Sequence, residues 1–139
     1  MRIRRHCVER LPGGERLWRK AARMVGFNGT LHVTGQGQKA WNHREIINPK
    51  RKLYGVTLGF YLEPNHIWVF LQNSRCARPD KKKMDPLGTF LHELAHFVQY
   101  KNGHSFKRGS RKTIRGWKND PYEREADQFA RNLRKKLGV

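Results

Sequence analysis

His92-Glu93-Leu94-Ala95-His96 sets two histidines four residues apart with a glutamate beside the first. On an α-helix, residues four apart lie one above the other on the same face, so both imidazoles can reach one metal ion. Glu93 is then placed to take a proton from a water which that ion holds. Two histidines do not complete a hydrolytic zinc centre, which uses three protein ligands and keeps a position open for water. Glu123 is the strongest candidate for the third ligand. It sits in the run Tyr122-Glu123-Arg124-Glu125-Ala126-Asp127, where Glu123 and Asp127 are again four apart. One carboxylate can bind the metal while the other accepts an N–H from a ligating histidine. Glu123 also fits a capping box that reaches back to the backbone of Asp120. The cluster Glu123/Glu125/Asp127, in a chain with only 11 acidic residues, is what a cation would explain. His104 is the rival third ligand, or a cleft residue that stabilises the transition state.

The elements that must position these groups are legible around them. Asp85-Pro86 is an N-cap followed by proline at the first helical position, and Asn102-Gly103 is a stop signal, so a helix is expected between them with Leu87, Leu91, Leu94 and Val98 on a buried face. Asp120-Pro121 repeats the start signal before a last helix from about Tyr122 to Leu137. The segments Leu53–Leu62 and His66–Gln72, rich in β-formers, flank Glu63-Pro64-Asn65 and predict a β-hairpin, with Gly55 and Gly59 weakening its first strand or marking bulges. Glu15–Val25, closed by Gly26, predicts an amphipathic helix carrying Leu17, Ala21, Met24 and Val25, and Leu31–Thr34 a short strand. Gly35–Lys52, Arg75–Lys83 and Gly103–Asn119 read as connections. Trp18, Trp41 and Trp68 are expected in the core, and Trp117 is expected to be exposed.

With 139 residues, 37% of them hydrophobic and 11% aromatic, the chain is expected to form one α+β domain over residues 1–139. No apolar run approaches the ~20 residues of a membrane span. The basic N-terminus lacks the apolar stretch of a secretory signal, so the cytoplasm is the expected compartment. Cys7 and Cys76 are too few for a disulfide framework and are expected as free thiols. The 30 lysines and arginines against 11 acids leave a net charge of +19, a field that attracts polyanions. DNA or RNA is the implied partner, with placement at the nucleoid, and an acidic protein is the alternative. Arg108, Arg111, Lys112, Arg115 and a base-stacking Trp117 are the candidate nucleic-acid contacts.

TFLHELAHFVQY followed by YEREADQFA resembles the gluzincin arrangement HExxH…ExxxD shared by minigluzincins, HtpX-like membrane proteases and ImmA/IrrE-type proteases. The likeness covers about Tyr54 to Leu137. It implies a small zincin-like α+β domain in which a short β-sheet packs on the HExxH helix and the C-terminal helix bears the glutamate. It also implies one zinc ion per chain on His92, His96 and Glu123, with Glu93 as general base and Asp127 supporting a ligand histidine. The activity implied is an endopeptidase acting on protein or peptide, with the strand at His66–Gln72 as the edge on which an extended peptide pairs. HtpX-like proteins have transmembrane helices and this chain has none, so a soluble form is expected. Arg131-Asn132-Leu133-Arg134 stands where ImmA-type chains often carry Met-Pro. The metzincin pattern HExxHxxGxxH is excluded, because Gln99 and Asn102 replace its glycine and third histidine. Gly103-His104-Ser105-Phe106-Lys107 is similar to the histidine loop of SprT-type proteases, with Ser105 in place of the usual glycine. Donors for the oxyanion would come from His104, Tyr100, Tyr122 or the arginines of the Lys107–Lys118 loop. Two other classes stay open: a nucleic-acid-binding module on an inactive zincin scaffold, and a protein whose basic surface docks an acidic partner.

Overall fold

Aspartate followed by proline starts both helices that carry the site. Asp85 accepts the N–H of Gly88 at 2.7 Å and opens Pro86–Lys101, and Asp120 accepts the N–H of Tyr122 at 2.8 Å and opens Pro121–Leu137. In a computed structural model of the chain, residues 1–7, 10–34, 59–71, 85–104 and 120–139 are described. Their elements run β1 (Arg2–Arg5), α1 (Glu15–Val25), β2 (Thr30–Thr34), β3 (Gly59–Leu62), β4 (His66–Phe70), α2 (Pro86–Lys101) and α3 (Pro121–Leu137). This is a small α+β domain with three helices and a four-stranded mixed sheet among the described residues. No helix among them is long and apolar enough to cross a membrane.

The sheet order is β1-β2-β4-β3. β3 and β4 form the expected antiparallel hairpin, with Tyr61 opposite Ile67 and a cis Glu63–Pro64 bond in the turn. Residues 53–58 of the expected first strand lie outside the described residues. β2 pairs in parallel with β4 on one side and with β1 on the other. β4 is therefore an interior strand, which corrects the expectation that it is the edge open to an extended peptide. Among the described residues the edges are β1 and β3. β1, a basic segment that the sequence does not mark as a strand, reaches β2 through α1 as the crossover that a parallel pair needs.

One sheet face carries Leu31, Val33, Ile67 and Val69, all buried against the helices. α2 lies at the centre, with Leu87, Phe90, Leu91, Leu94 and Phe97 in that core and Val98 at its margin. Gly59 admits this packing, because a Cβ there would lie 2.5 Å from the Trp68 carbonyl oxygen and 2.8 Å from Thr89 Cγ2. On α1, Trp18 enters the core rather than Met24. Its ring stacks on Phe90 with centroids 4.8 Å apart and its indole N–H donates to the Pro12 carbonyl at 2.8 Å, whereas Met24 is 42% exposed. Trp68 is buried on the other sheet face, with the His32 ring flat on it at 4.2 Å. Trp41 and Trp117 lie outside the described residues.

Candidate metal centre

α3 buries Glu123, Ala126, Leu133 and Leu137, spacings of 3, 7 and 4 that fall on one helical face. A carboxylate in an otherwise apolar stripe is costly to bury unless it meets a positive or hydrogen-bonding partner. Glu123 meets the two histidines of α2. Its Oε2 lies 2.8 Å from His92 Nε2, its Oε1 lies 3.1 Å from His96 Nε2, and the two Nε2 atoms are 3.1 Å apart. All three residues are buried. Both carboxylate oxygens are directed at imidazoles, the arrangement of a ligand, while Asp120 itself supplies the helix cap.

The outer nitrogens of the two imidazoles are also engaged. His92 Nδ1 lies 2.8 Å from an Asp127 carboxylate oxygen, and His96 Nδ1 lies 2.8 Å from the Gln99 amide oxygen. Both partners can only accept, so each Nδ1 carries a hydrogen and donates. In neutral imidazoles each Nε2 is then a bare lone pair. The two Nε2 atoms and the carboxylate thus converge within about 3 Å, a set that a cation, whether a proton or a metal ion, holds together. Tetrahedral ligation at about 2.0–2.1 Å would set the donors roughly 3.3 Å apart, so a small adjustment of this triangle suffices. His92, His96 and Glu123 form a buried group that could hold a metal ion, and it is the one such group among the described residues.

The same electrostatics govern the group when protons are its only cations. Burial pulls the His92 pKa down. Hydrogen bonds to Asp127 and Glu123, with the charges of Glu93 and Glu123, outweigh that and push it up to about 10. Burial pushes Glu123 up, but its hydrogen bonds and charge interactions with both histidines hold it well below the ordinary carboxylate range. Glu93 is buried next to His92.

The structure thus brings together His92, His96, Glu123, Asp127 and Glu93. It places His104 elsewhere: the imidazole stacks on the Tyr122 ring with centroids 3.5 Å apart, its backbone N–H donates to the Gln99 carbonyl at 3.0 Å, and it does not belong to the ligand group. Tyr122 is 40% exposed and Tyr100 is half-buried against Tyr61. Arg108, Arg111, Lys112, Arg115 and Trp117 lie outside the described residues. Gln99 was missed as a site residue. Its signal was the spacing from His96, since residues three apart also share a helix face. Comparison with protein-family models, with curated proteins and with solved structures finds no match for the chain.

Proposed function

We propose that this chain is a zinc-dependent endopeptidase with a zincin-like active site. The observation that carries the reading is the convergence of two histidine Nε2 atoms and the Glu123 carboxylate in one buried triangle, with Glu93 buried beside His92 on the same helix. Two imidazoles and one carboxylate are a donor set that zinc takes in hydrolytic sites, with an open fourth position. A bound zinc ion supplies Lewis acidity, polarising the scissile carbonyl and acidifying water. The chain's own groups do the rest. Glu93 takes a proton from the attacking water and delivers it to the leaving amine. Asp127 and Gln99 hold the two imidazoles by their Nδ1–H groups, so that Nε2 faces inward in both. β3, the edge strand nearer α2 among the described residues, is the strand on which an extended peptide would pair.

The test is zinc content measured beside peptide cleavage. His92→Ala and His96→Ala should lose the metal and the activity together. Glu93→Gln should keep the metal and lose cleavage, because Glu93 is not a ligand. Full cleavage by Glu93→Gln would end the mechanism. A second reading, a nucleic-acid-binding module on an inactive zincin scaffold, is favoured by the net charge of +19. It expects salt-sensitive binding to DNA or RNA with no zinc-dependent cleavage.

A further inference from the structure

Gln99 is a buried amide, 4% exposed, one helical turn beyond His96. Its oxygen accepts from His96 Nδ1 at 2.8 Å, and its Nε2 donates to the Tyr122 backbone carbonyl at 2.8 Å and to a Glu125 carboxylate oxygen at 3.2 Å. The orientation of the amide is forced. Both partners on the nitrogen side are acceptors, so the oxygen must face the imidazole, and the imidazole must present a hydrogen to it. The amide therefore dictates that His96 carries its hydrogen on Nδ1 and its lone pair on Nε2, facing Glu123. Its other end grips α3 on either side of Glu123, at the residue before it and at Glu125 two residues after.

We propose that Gln99 is a positioning residue of the metal centre, one side chain that selects the tautomer of the second histidine ligand and holds in register the helical turn that carries the third. This rests on the metal-centre reading above and deepens it, since the grip of the same amide on Tyr122 and Glu125 ties the orientation of His96 to the turn that carries Glu123. The other imidazole is oriented by Asp127, a carboxylate 49% exposed at its side chain. The two supports thus differ, one charged and near water, one neutral and buried. Neutrality at position 99 is required by its surroundings. A glutamate there would still accept from His96, but its second oxygen would face a carbonyl and the Glu125 carboxylate with no hydrogen to offer either. A methionine would keep the shape and lose every hydrogen bond.

The experiment measures zinc affinity by competition with a chromophoric chelator in the parent chain, Gln99→Met, Gln99→Glu and Asp85→Ala. Asp85→Ala removes the α2 cap and the ion pair to Arg134, loosening the α2–α3 pair away from the ligands. Both Gln99 variants should bind zinc about 10–100-fold more weakly, the usual cost of losing a group that orients a ligand. Asp85→Ala should lower the melting temperature and leave zinc affinity within twofold of the parent. Parent-like affinity in Gln99→Met would overturn the proposal, as would an equal affinity loss in Asp85→Ala, since helix pairing alone would then explain the effect. A second measurement needs no variant. In the zinc-free parent at pH 8, ¹⁵N shifts should show a hydrogen on His96 Nδ1, and a bare Nδ1 with the hydrogen on Nε2 alone would overturn the proposal. A parent that binds no zinc, with the hydrogen on Nδ1, would remove the metallopeptidase reading while leaving the tautomer selection standing.

Discussion

At the scale of single residues, the decisive question is what each carboxylate and imidazole does when a metal ion arrives. If Glu123 is the third ligand, Glu123→Ala should lose zinc affinity by orders of magnitude. Asp127→Ala should lose about 10–100-fold, and His104→Ala, whose ring stacks on Tyr122, should hold zinc as the parent does. The reverse order, zinc lost in His104→Ala and kept in Glu123→Ala, would move the third ligand to the loop histidine. The protons make an independent prediction. With its pKa pushed up to about 10, His92 is charged at pH 7 in the metal-free chain, yet it must be neutral to ligate. Zinc uptake at pH 7 should therefore release about one proton, readable by calorimetry in two buffers of different ionisation enthalpy. A heat independent of buffer would contradict it. The sign for stability follows from the same shifts. A raised histidine pKa stabilises the metal-free fold below about 6.5 and loses that contribution as pH rises towards about 10. Glu123, held down, stabilises above about 4.5 and loses its contribution as pH falls below that. The metal-free chain should thus melt highest between those limits, and zinc should raise the melting temperature most on the alkaline side.

At the scale of elements, Asp85 joins two jobs: its carboxylate caps α2 through Gly88 and takes the Arg134 guanidinium of α3 at 2.5 Å. The cap should dominate. Asp85→Ala is expected to cost about 1 kcal/mol from the N-cap, lowering the melting temperature by several degrees. Arg134→Ala, which breaks a half-exposed ion pair, should cost less. A larger loss in Arg134→Ala would reverse that ranking. What could be read beforehand follows the same division between local and distant causes. The two Asp-Pro starts and the Asn102-Gly103 stop are local chemistry, and they delimited α2 and α3 to within a residue. The hairpin turn was also local. Parallel pairing was not: β1 has one inward apolar residue, Ile3, and owes its existence to β2 beyond an entire helix. The interior position of β4 has the same origin. On α1 the 3.6-residue stripe was legible, with Ala21 in the core and Leu17 and Val25 against it, and only Met24 turns outward while Trp18 stacks on Phe90. The three residues of the group that could hold a metal ion were nameable from spacing. Gln99 had only its spacing from His96 to mark it, since a glutamine on a helix carries no chemical signature until the carbonyl of another helix stands in front of it.

At the scale of the whole molecule, the acidic residues gather at the site helices while most of the basic excess lies elsewhere along the chain. Asp85, Glu93, Asp120, Glu123, Glu125 and Asp127, more than half of the 11 acids, belong to the two helices that build the metal group or to their caps. More than half of the 30 basic residues fall in residues 35–58, 72–84 and 105–119. A polyanion is drawn to those segments more than to the site helices, where basic residues offset the acids, so nucleic-acid binding and metal binding should be separable by mutation. Phosphate contacts position a protein without reading bases, so binding should show little sequence preference. Each phosphate neutralised on duplex DNA releases condensed counterions, giving a log–log salt slope near −0.9 per contact. Replacing Arg108, Arg111, Lys112 and Arg115 together by alanine should flatten that slope by a few units while zinc content stays at the parent value, since none of the four is among the ligands proposed. The measurement is fluorescence anisotropy of a labelled duplex across salt concentrations, paired with metal analysis of the same preparations. Binding that is absent at low salt, or indifferent to salt, would assign the +19 charge to an acidic protein partner or to solubility and leave the peptidase proposal where it stands. A flattened slope accompanied by loss of zinc would instead show that the basic segment between α2 and α3 is coupled to the placement of Glu123, because that segment joins the helix of the two histidines to the helix of the third ligand.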